Sequence, residues 1–204
     1  MTLSQVLLIV GAYLGGSLPF GYWAGRLAGR DLRREGSGNT GATNVWRTLG
    51  PRAGAPVLVL DALKGLIPAL IGIELYGPGI AVLASGAALI GHSFPIFLGF
   101  GGGKGVATGT GTVLALTPLV TLPFVALFLA VLWTTRYVSL ASMTACAGYT
   151  LACLALGEPW PITLYAALGT AGIVWRHRAN IGRLRAGTEA RTKTFGRGAR
   201  RPAV

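Results

Sequence analysis

Two glycine-rich stretches carry the residue types that hold phosphate. The first reads Gly36-Ser37-Gly38-Asn39-Thr40-Gly41-Ala42-Thr43-Asn44-Val45-Trp46-Arg47. Glycines this dense let backbone N–H groups converge on an anion. Ser37, Asn39, Thr40, Thr43 and Asn44 add polar side chains, and Arg47 adds a planar fork suited to phosphate. Gly36, Gly38 and Gly41 also spell the dinucleotide fingerprint, with Asp61 twenty residues beyond Gly41. That reading fails, because the fingerprint must follow a strand inside a βαβ unit. The second stretch ends Gly101-Gly102-Gly103-Lys104-Gly105-Val106-Ala107-Thr108. It resembles a Walker A loop, but Gly105 stands where a magnesium-binding hydroxyl would be needed. What remains is a Gly-rich turn opening a helix with Lys104 at its mouth, the arrangement of a helix N-terminal phosphate site.

A third polar stretch runs from His177 through Asn180, Arg183 and Leu184 to Glu189. If helical, it places His177, Asn180 and Leu184 on one face. Asp61 and Lys64 sit three apart in an otherwise apolar run and must pair or face a bundle interior. Arg136, Ser139 and Ser142, spaced by three, form a polar stripe. His92 stands just before the second glycine-rich stretch, and alone it fits a satisfied interfacial histidine as well as a catalytic one. Cys146 and Cys153 are expected to pack in an apolar run. The two histidines have no H-x-x-x-H arrangement and no acidic cluster beside them, so no metal and no cofactor are expected.

The elements that position these groups follow from where charge is absent. The chain has 204 residues with a net charge of +12, yet only 12% of residues are charged and 52% are hydrophobic. An ordinary soluble domain has about 25% charged residues. Low hydrophobicity, the mark of disorder, is missing too. Fifteen of the eighteen basic residues fall within 26–52 and 176–201. Apolar runs occupy 3–25, 53–76, 78–99, 106–133, 138–157 and 159–175. About 20 such residues cross a ~30 Å hydrocarbon core as helix. An all-α polytopic membrane bundle is expected, a single integral-membrane domain over 1–204 with a basic tail from about 190. The first run lacks a positive leader and a cleavage pattern, so it reads as a retained span.

The positive-inside rule places the Arg-rich stretches in the cytoplasm and the N-terminus outside. The tail then returns inside only if 106–133 crosses twice, breaking at Thr117-Pro118, since proline disfavours helix in the residue before it. Seven segments result, N-out and C-in, with the first half of the broken run, near 104–117, short at ~21 Å. The polar stretches then share the cytoplasmic face. Trp133, Trp160 and Trp175 fall near span ends, as interfacial aromatics do. The basic tail suits anionic lipid, and no nucleic-acid partner is expected.

From residues alone, this is an enzyme or transporter that handles phosphorylated, lipidic substrates. A transporter of an organic phosphate remains the alternative. It would call for polar groups on both faces or an inverted repeat, and the sequence offers neither.

The sequence resembles the bacterial integral-membrane acyl-phosphate:glycerol-3-phosphate acyltransferases. The likeness is carried by residues 17–21, 36–47, 61–65, 91–108, 135–137 with Ser139 and Ser142, and 177–189. It implies transfer of a fatty acyl group from acyl-phosphate to the 1-hydroxyl of sn-glycerol 3-phosphate in a bacterial plasma membrane. Neither coenzyme A nor acyl carrier protein would be the direct donor. Ser37 and Arg47 would belong to a catalytic and positioning loop, and Gly102, Gly103, Lys104 and Gly105 to the glycerol-phosphate site. Gly38, Asn39, Thr40, Gly41, Thr43, Asn44, Lys64, Thr108, Arg136, Ser139 and Ser142 join the substrate-binding set. His177 and Asn180 would be functional, with Asp61 and Glu189 structural. The base is open among His177, His92 and the donor's own phosphate, with the phosphate favoured because two anions crowd the site.

Overall fold

The computed structural model describes residues 1–192; residues 193–204, with most of the basic tail, lie outside the described residues. The described residues are all-helical, with ten α-helices, one 3-10 turn and no strand. Helix α1 (Leu3–Gly16) is followed by α2 (Phe20–Leu27), so the run 3–25 expected as one helix is broken. Pro19 is the cause: it lacks an N–H and disfavours helix in the residue before it. A short α3 (Ala42–Leu49) follows the first glycine-rich stretch. Helices α4 (Pro51–Tyr76) and α5 (Pro78–Ser93) each open on a proline and are joined through Gly77 alone. Proline is pre-shaped for the first helical position, where its missing N–H costs nothing.

A 3-10 turn (Ile96–Leu98) leads to α6 (Val106–Leu116), and α7 (Pro118–Thr135) begins one residue later. The break at Thr117-Pro118 therefore falls where proline chemistry places it. Thr117 is extended, with φ −147°. Helix α6 has 11 residues, since Lys104 and Gly105 are not helical, and it is ~16 Å long. It is thus shorter than the ~21 Å expected. Helices α8 (Val138–Leu156), α9 (Trp160–Arg176) and α10 (Arg178–Arg185) complete the fold. Among the described residues, five segments are long and apolar enough to cross a membrane: Leu3–Leu27, Pro51–Tyr76, Pro78–Leu98, Pro118–Thr135 and Val138–Leu156. Helix α9, with 17 residues, is slightly shorter.

Large apolar side chains such as Leu7, Ile67, Leu119, Leu129 and Leu168 point outward, as a lipid-facing exterior requires. The closest helix contacts are made by small residues. A side chain at Gly65 would strike the Thr108 carbonyl, and one at Gly111 the Ala62 carbonyl, so α4 and α6 touch backbone to backbone. Gly16 against Ala88 and Gly91 against Tyr13 do the same for α1 and α5. In lipid the hydrophobic effect does not drive helices together, and such close approach supplies the dispersion that does. Hydroxyl pairs add to it: Thr112 with Tyr165 (2.6 Å), Thr117 with Tyr149 (2.7 Å) and Thr150 with Thr170 (2.9 Å). Much of the glycine content thus serves helix packing rather than anion binding.

Replacing Gly65 by Leu should separate α4 from α6 and cost about 1–3 kcal/mol, as overpacking does. The unfolding temperature in detergent should fall, whereas Gly79→Ala, which meets no atom within 4 Å, should leave it unchanged.

Candidate anion-binding site

The second glycine-rich stretch folds back across the end of α5. Gly103 N–H donates to the His92 carbonyl (3.0 Å). A side chain at Gly102 would strike that carbonyl and Pro95, and one at Gly103 would strike the His92 imidazole. Only glycine fits at either position. From the other side Arg176, the last residue of α9, donates through Nη2 to the carbonyls of Gly102 (2.7 Å) and Gly103 (2.9 Å) and through Nε to Gly103 (3.1 Å). Asn39 Nδ2 reaches the Gly102 carbonyl at 3.5 Å, bringing the first stretch against the second.

With those carbonyls committed, the chain turns at Gly105, which caps α6 at φ 84° and has no side chain to bond the first turn. The leading N–H groups of α6, at Val106, Ala107 and Thr108, have no acceptor within the helix. The positive end of the helix dipole adds to them. Lys104 stands beside this opening, and its Nζ donates to Asn180 Oδ1 (2.5 Å). Asn180 Nδ2 in turn donates to Glu189 Oε1 (2.6 Å), which also accepts from Ser139 Oγ (2.7 Å). Arg183 Nε binds Glu189 Oε2 at 2.7 Å. One carboxylate thus fixes α8, α10 and, through Asn180, Lys104. These hydrogen bonds outweigh partial burial and hold the Glu189 carboxyl below the usual range.

Burial is the largest influence on Lys104, and the cations Arg183, Arg47 and Arg176 add to it. Against the pull of Glu189, they bring the ammonium down to about 8. Three arginines therefore add their charge to that of Lys104 near the mouth of α6, against one carboxylate, a field that favours an anion. His177, between α9 and α10, is 3% exposed. Its Nδ1 lies 2.8 Å from the Ile173 carbonyl, so Nδ1 carries the proton and Nε2 keeps a lone pair. Burial, chiefly, pushes its pKa down to about 4 despite that bond. The imidazole is neutral near pH 7 and weakly basic.

In the first stretch, Asn44 is the organiser rather than a surface group. Its Nδ2 donates to the carbonyls of Leu32 (3.2 Å) and Glu35 (3.0 Å), and its Oδ1 accepts from Ser37 N–H (2.9 Å). Gly36, at φ 60°, lies against the same Oδ1. The loop is wound around this amide, which leaves it nothing to offer a ligand. Asn39 Oδ1 caps the Gly41 N–H (2.8 Å), and Thr40 is buried. Ser37, Gly38, Thr43 and Arg47 are exposed, Thr43 and Arg47 being on α3 rather than in a loop. Arg47 forms no ion pair among the described residues, and its charge is felt at Lys104.

Several expected ligand residues also have partners within the fold. Thr108 is 0% exposed and packs on Gly65, so its side chain faces α4 rather than the opening. Ser142 Oγ donates to its own helix at Val138 (2.8 Å). Arg136, exposed at φ 62°, caps α7 and accepts Thr192 N–H on its carbonyl. Lys64 is buried against Asp61 (2.8 Å) and the Leu18 carbonyl (3.1 Å). His92 is 7% exposed and packs against Gly103. Conversely, Arg176 and Arg183 were passed over as orientation signals, because positive-inside charge at a span end accounts for an Arg without reference to its partner. Nothing in the sequence marks Arg176 as the residue that holds the glycine loop.

Next to Val106, a narrow apolar cavity of about 30 Å³ runs between α5, α6, α7, α8 and α9, past Leu89, Gly109, Phe124, Tyr149, Gly169 and Ile173.

Apolar helices around a cationic cluster with free helix-terminal donors define an integral membrane protein built to hold a phosphorylated ligand beside lipid. Comparison with known proteins narrows this class. The chain belongs to the glycerol-3-phosphate acyltransferase family, whose profile matches residues 6–187. It is 47% identical over 187 residues to the glycerol-3-phosphate acyltransferase of Geotalea daltonii, covering 91% of this chain and 96% of that one. The Listeria welshimeri glycerol-3-phosphate acyltransferase is 45% identical over 197 residues, with 95% and 99% covered. The crystal structure of PlsY, an integral membrane glycerol 3-phosphate acyltransferase, in its glycerol 3-phosphate form superposes with a TM-score of 0.92. It shares 44% identity and is covered to 97%, against 94% of this chain. Its lysophosphatidic acid form gives 0.88 at 43% identity, with the same coverage.

The Lys104 ammonium must be charged to attract an anion. Because its pKa is depressed, kcat/KM for glycerol 3-phosphate should fall as pH rises through about 8. In a Lys104→Arg variant, whose cation does not titrate, that inflection should vanish from the pH–rate profile.

Proposed function

We propose that this protein transfers a fatty acyl group from acyl-phosphate to the 1-hydroxyl of sn-glycerol 3-phosphate, an acylation of phospholipid synthesis. The products are 1-acylglycerol 3-phosphate and inorganic phosphate. The observation that carries the reading is the opening at the α6 N-terminus, with Lys104 held there by Asn180 and Glu189, in a chain of the glycerol-3-phosphate acyltransferase family. Lys104 and the α6 amides bind the glycerol phosphate, and Arg47 with the exposed edge of the 36–41 loop, including Ser37, receives the second phosphate. The acyl chain enters laterally from the surrounding lipid.

The chemistry asks for little beyond placement. The 1-hydroxyl oxygen attacks the acyl carbon, the carbon–oxygen bond to phosphate breaks, and its electron pair leaves on the phosphate. A mixed anhydride is already activated, so no covalent acyl-enzyme is required. The two anions repel, and the cations around α6 offset that repulsion while stabilising the oxyanion and the departing phosphate. His177, with a pKa of about 4, is too weak a base near pH 7. The hydroxyl proton goes to a phosphate oxygen of the donor as that phosphate departs. His177 Nε2 accepts a hydrogen bond and orients the acceptor instead.

The segment Leu3–Leu27 and helices α4 to α9 make seven crossings, N-terminus outside and C-terminus cytoplasmic, in a bacterial plasma membrane. The short α6 passes inside the bundle, where protein rather than lipid surrounds it. Arg26 at the end of the first segment, Arg30, Arg33 and Arg34 after it, and Arg178, Arg183 and Arg185 after the last support this orientation.

The test is the purified full chain in lipid nanodiscs given glycerol 3-phosphate with a long-chain acyl-phosphate, acyl-coenzyme A or acyl carrier protein thioester. Acyl-phosphate should yield 1-acylglycerol 3-phosphate and phosphate in equal amounts, and the thioesters none. Transfer from a thioester alone, or none from folded protein, would refute the assignment.

A further inference from the structure

We propose that Asp61, Lys64 and His92 form a buried positioning unit that supports the underside of the Gly102 and Gly103 segment and so sets the affinity of the α6 opening for phosphate. Its side chains line a small cavity together with Thr40, Gly102 and Gly103. Asp61 is 2% exposed, and the Lys64 and His92 side chains are comparably buried. Charged groups inside an apolar bundle are costly, and a hydrophobic pair of the same volume often stabilises as well or better. Stability alone gives no reason to keep them.

Their contacts supply one. Lys64 Nζ is shared between Asp61 Oδ1 (2.8 Å) and the Leu18 carbonyl (3.1 Å), at the break that Pro19 makes between α1 and α2. The Phe20 ring centroid is 5.5 Å from the same ammonium. Lysine thereby fixes the first segment to α4. Asp61 Oδ1 also lies 3.6 Å from His92 Nδ1, a polar contact too long to be a hydrogen bond. The imidazole is wedged between that carboxylate and Gly103, while the His92 carbonyl accepts the Gly103 N–H. Arg176 grips the two carbonyls from the opposite side. The glycine segment is thus held between a guanidinium and an imidazole. The imidazole is backed by a carboxylate that lysine anchors to another helix. Removing any member lets the segment sag away from Lys104 and the α6 amides.

This rests on the reading that the site binds glycerol 3-phosphate, and the test separates the two. His92→Asn, His92→Ala, Gly103→Ala and the double variant His92→Ala/Gly103→Ala would be compared with wild type in full-length detergent-purified protein. Glycerol 3-phosphate binding would be read by calorimetry, kcat and KM by acyl transfer, and folding by thermal unfolding. Each single change should raise Kd and KM about tenfold while kcat falls less than threefold. Because His92 acts through Gly103, the double variant should be no weaker than the weaker single variant rather than multiplying the losses. Wild-type affinity in His92→Asn, multiplicative losses in the double variant, or an equal fall in kcat and rise in KM would overturn the proposal. If the alanine variants do not fold, His92→Asn decides alone. A wild-type chain that binds glycerol 3-phosphate without acyl transfer overturns the reaction but leaves the positioning test intact. One that does not bind overturns both.

Discussion

Glycine can bring backbone amides close to a phosphate, but it has no side chain with which to hold itself there. That constraint organises the site. Gly102 and Gly103 are fixed only by what surrounds them: Arg176 on their carbonyls, His92 beneath, and Asn39 at the edge. Each support comes from a different part of the chain. The loop therefore keeps its shape only when α5, α9 and the first glycine-rich stretch are already packed. The conformational entropy that glycine loses on ordering is offset by these external contacts.

The same external support extends to charge. Lys104 would be a flexible cation on its own. Asn180, Glu189, Ser139 and Arg183 form a hydrogen-bonded line that holds its ammonium over the α6 N-terminus. Preorganised donors need not reorient as phosphate binds, and in a partly desolvated site they act more strongly than in water. The bilayer sets the rest of the design, because apolar helices surround the cluster and the cations gather where they end.

Much of this was legible in the sequence for identifiable reasons. Apolar runs gave the long helices, and Pro118 and Gly77 marked their joints within a residue or two. Pro19 carried the same signal, but the uncharged run around it suggested unbroken helix. The two anion stretches were visible as dense glycine beside Lys104 and Arg47. What composition could not reveal was direction. Asn44 and Ser142 have the same chemistry as ligand-binding residues, yet their groups are bonded to backbone within the fold. His92 is as titratable on paper as His177, but it lies under Gly103. Glycine was ambiguous in the same way: Gly65 and Gly111 serve helix contact, and only a structure separates them from Gly103. Arg176 was hidden because topology already explained an arginine at that place.

The account centres on one claim, that the α6 N-terminus with Lys104 is where the phosphate of glycerol 3-phosphate is held. A crystal structure of this chain with glycerol 3-phosphate tests it most directly. The phosphate oxygens should lie ~3 Å from Lys104 Nζ and from backbone N–H groups of the first turn of α6, with the Gly102 and Gly103 carbonyls still on Arg176. A phosphate seated in the 36–41 loop or among the arginines of α10, with the α6 amides uncovered, would contradict it.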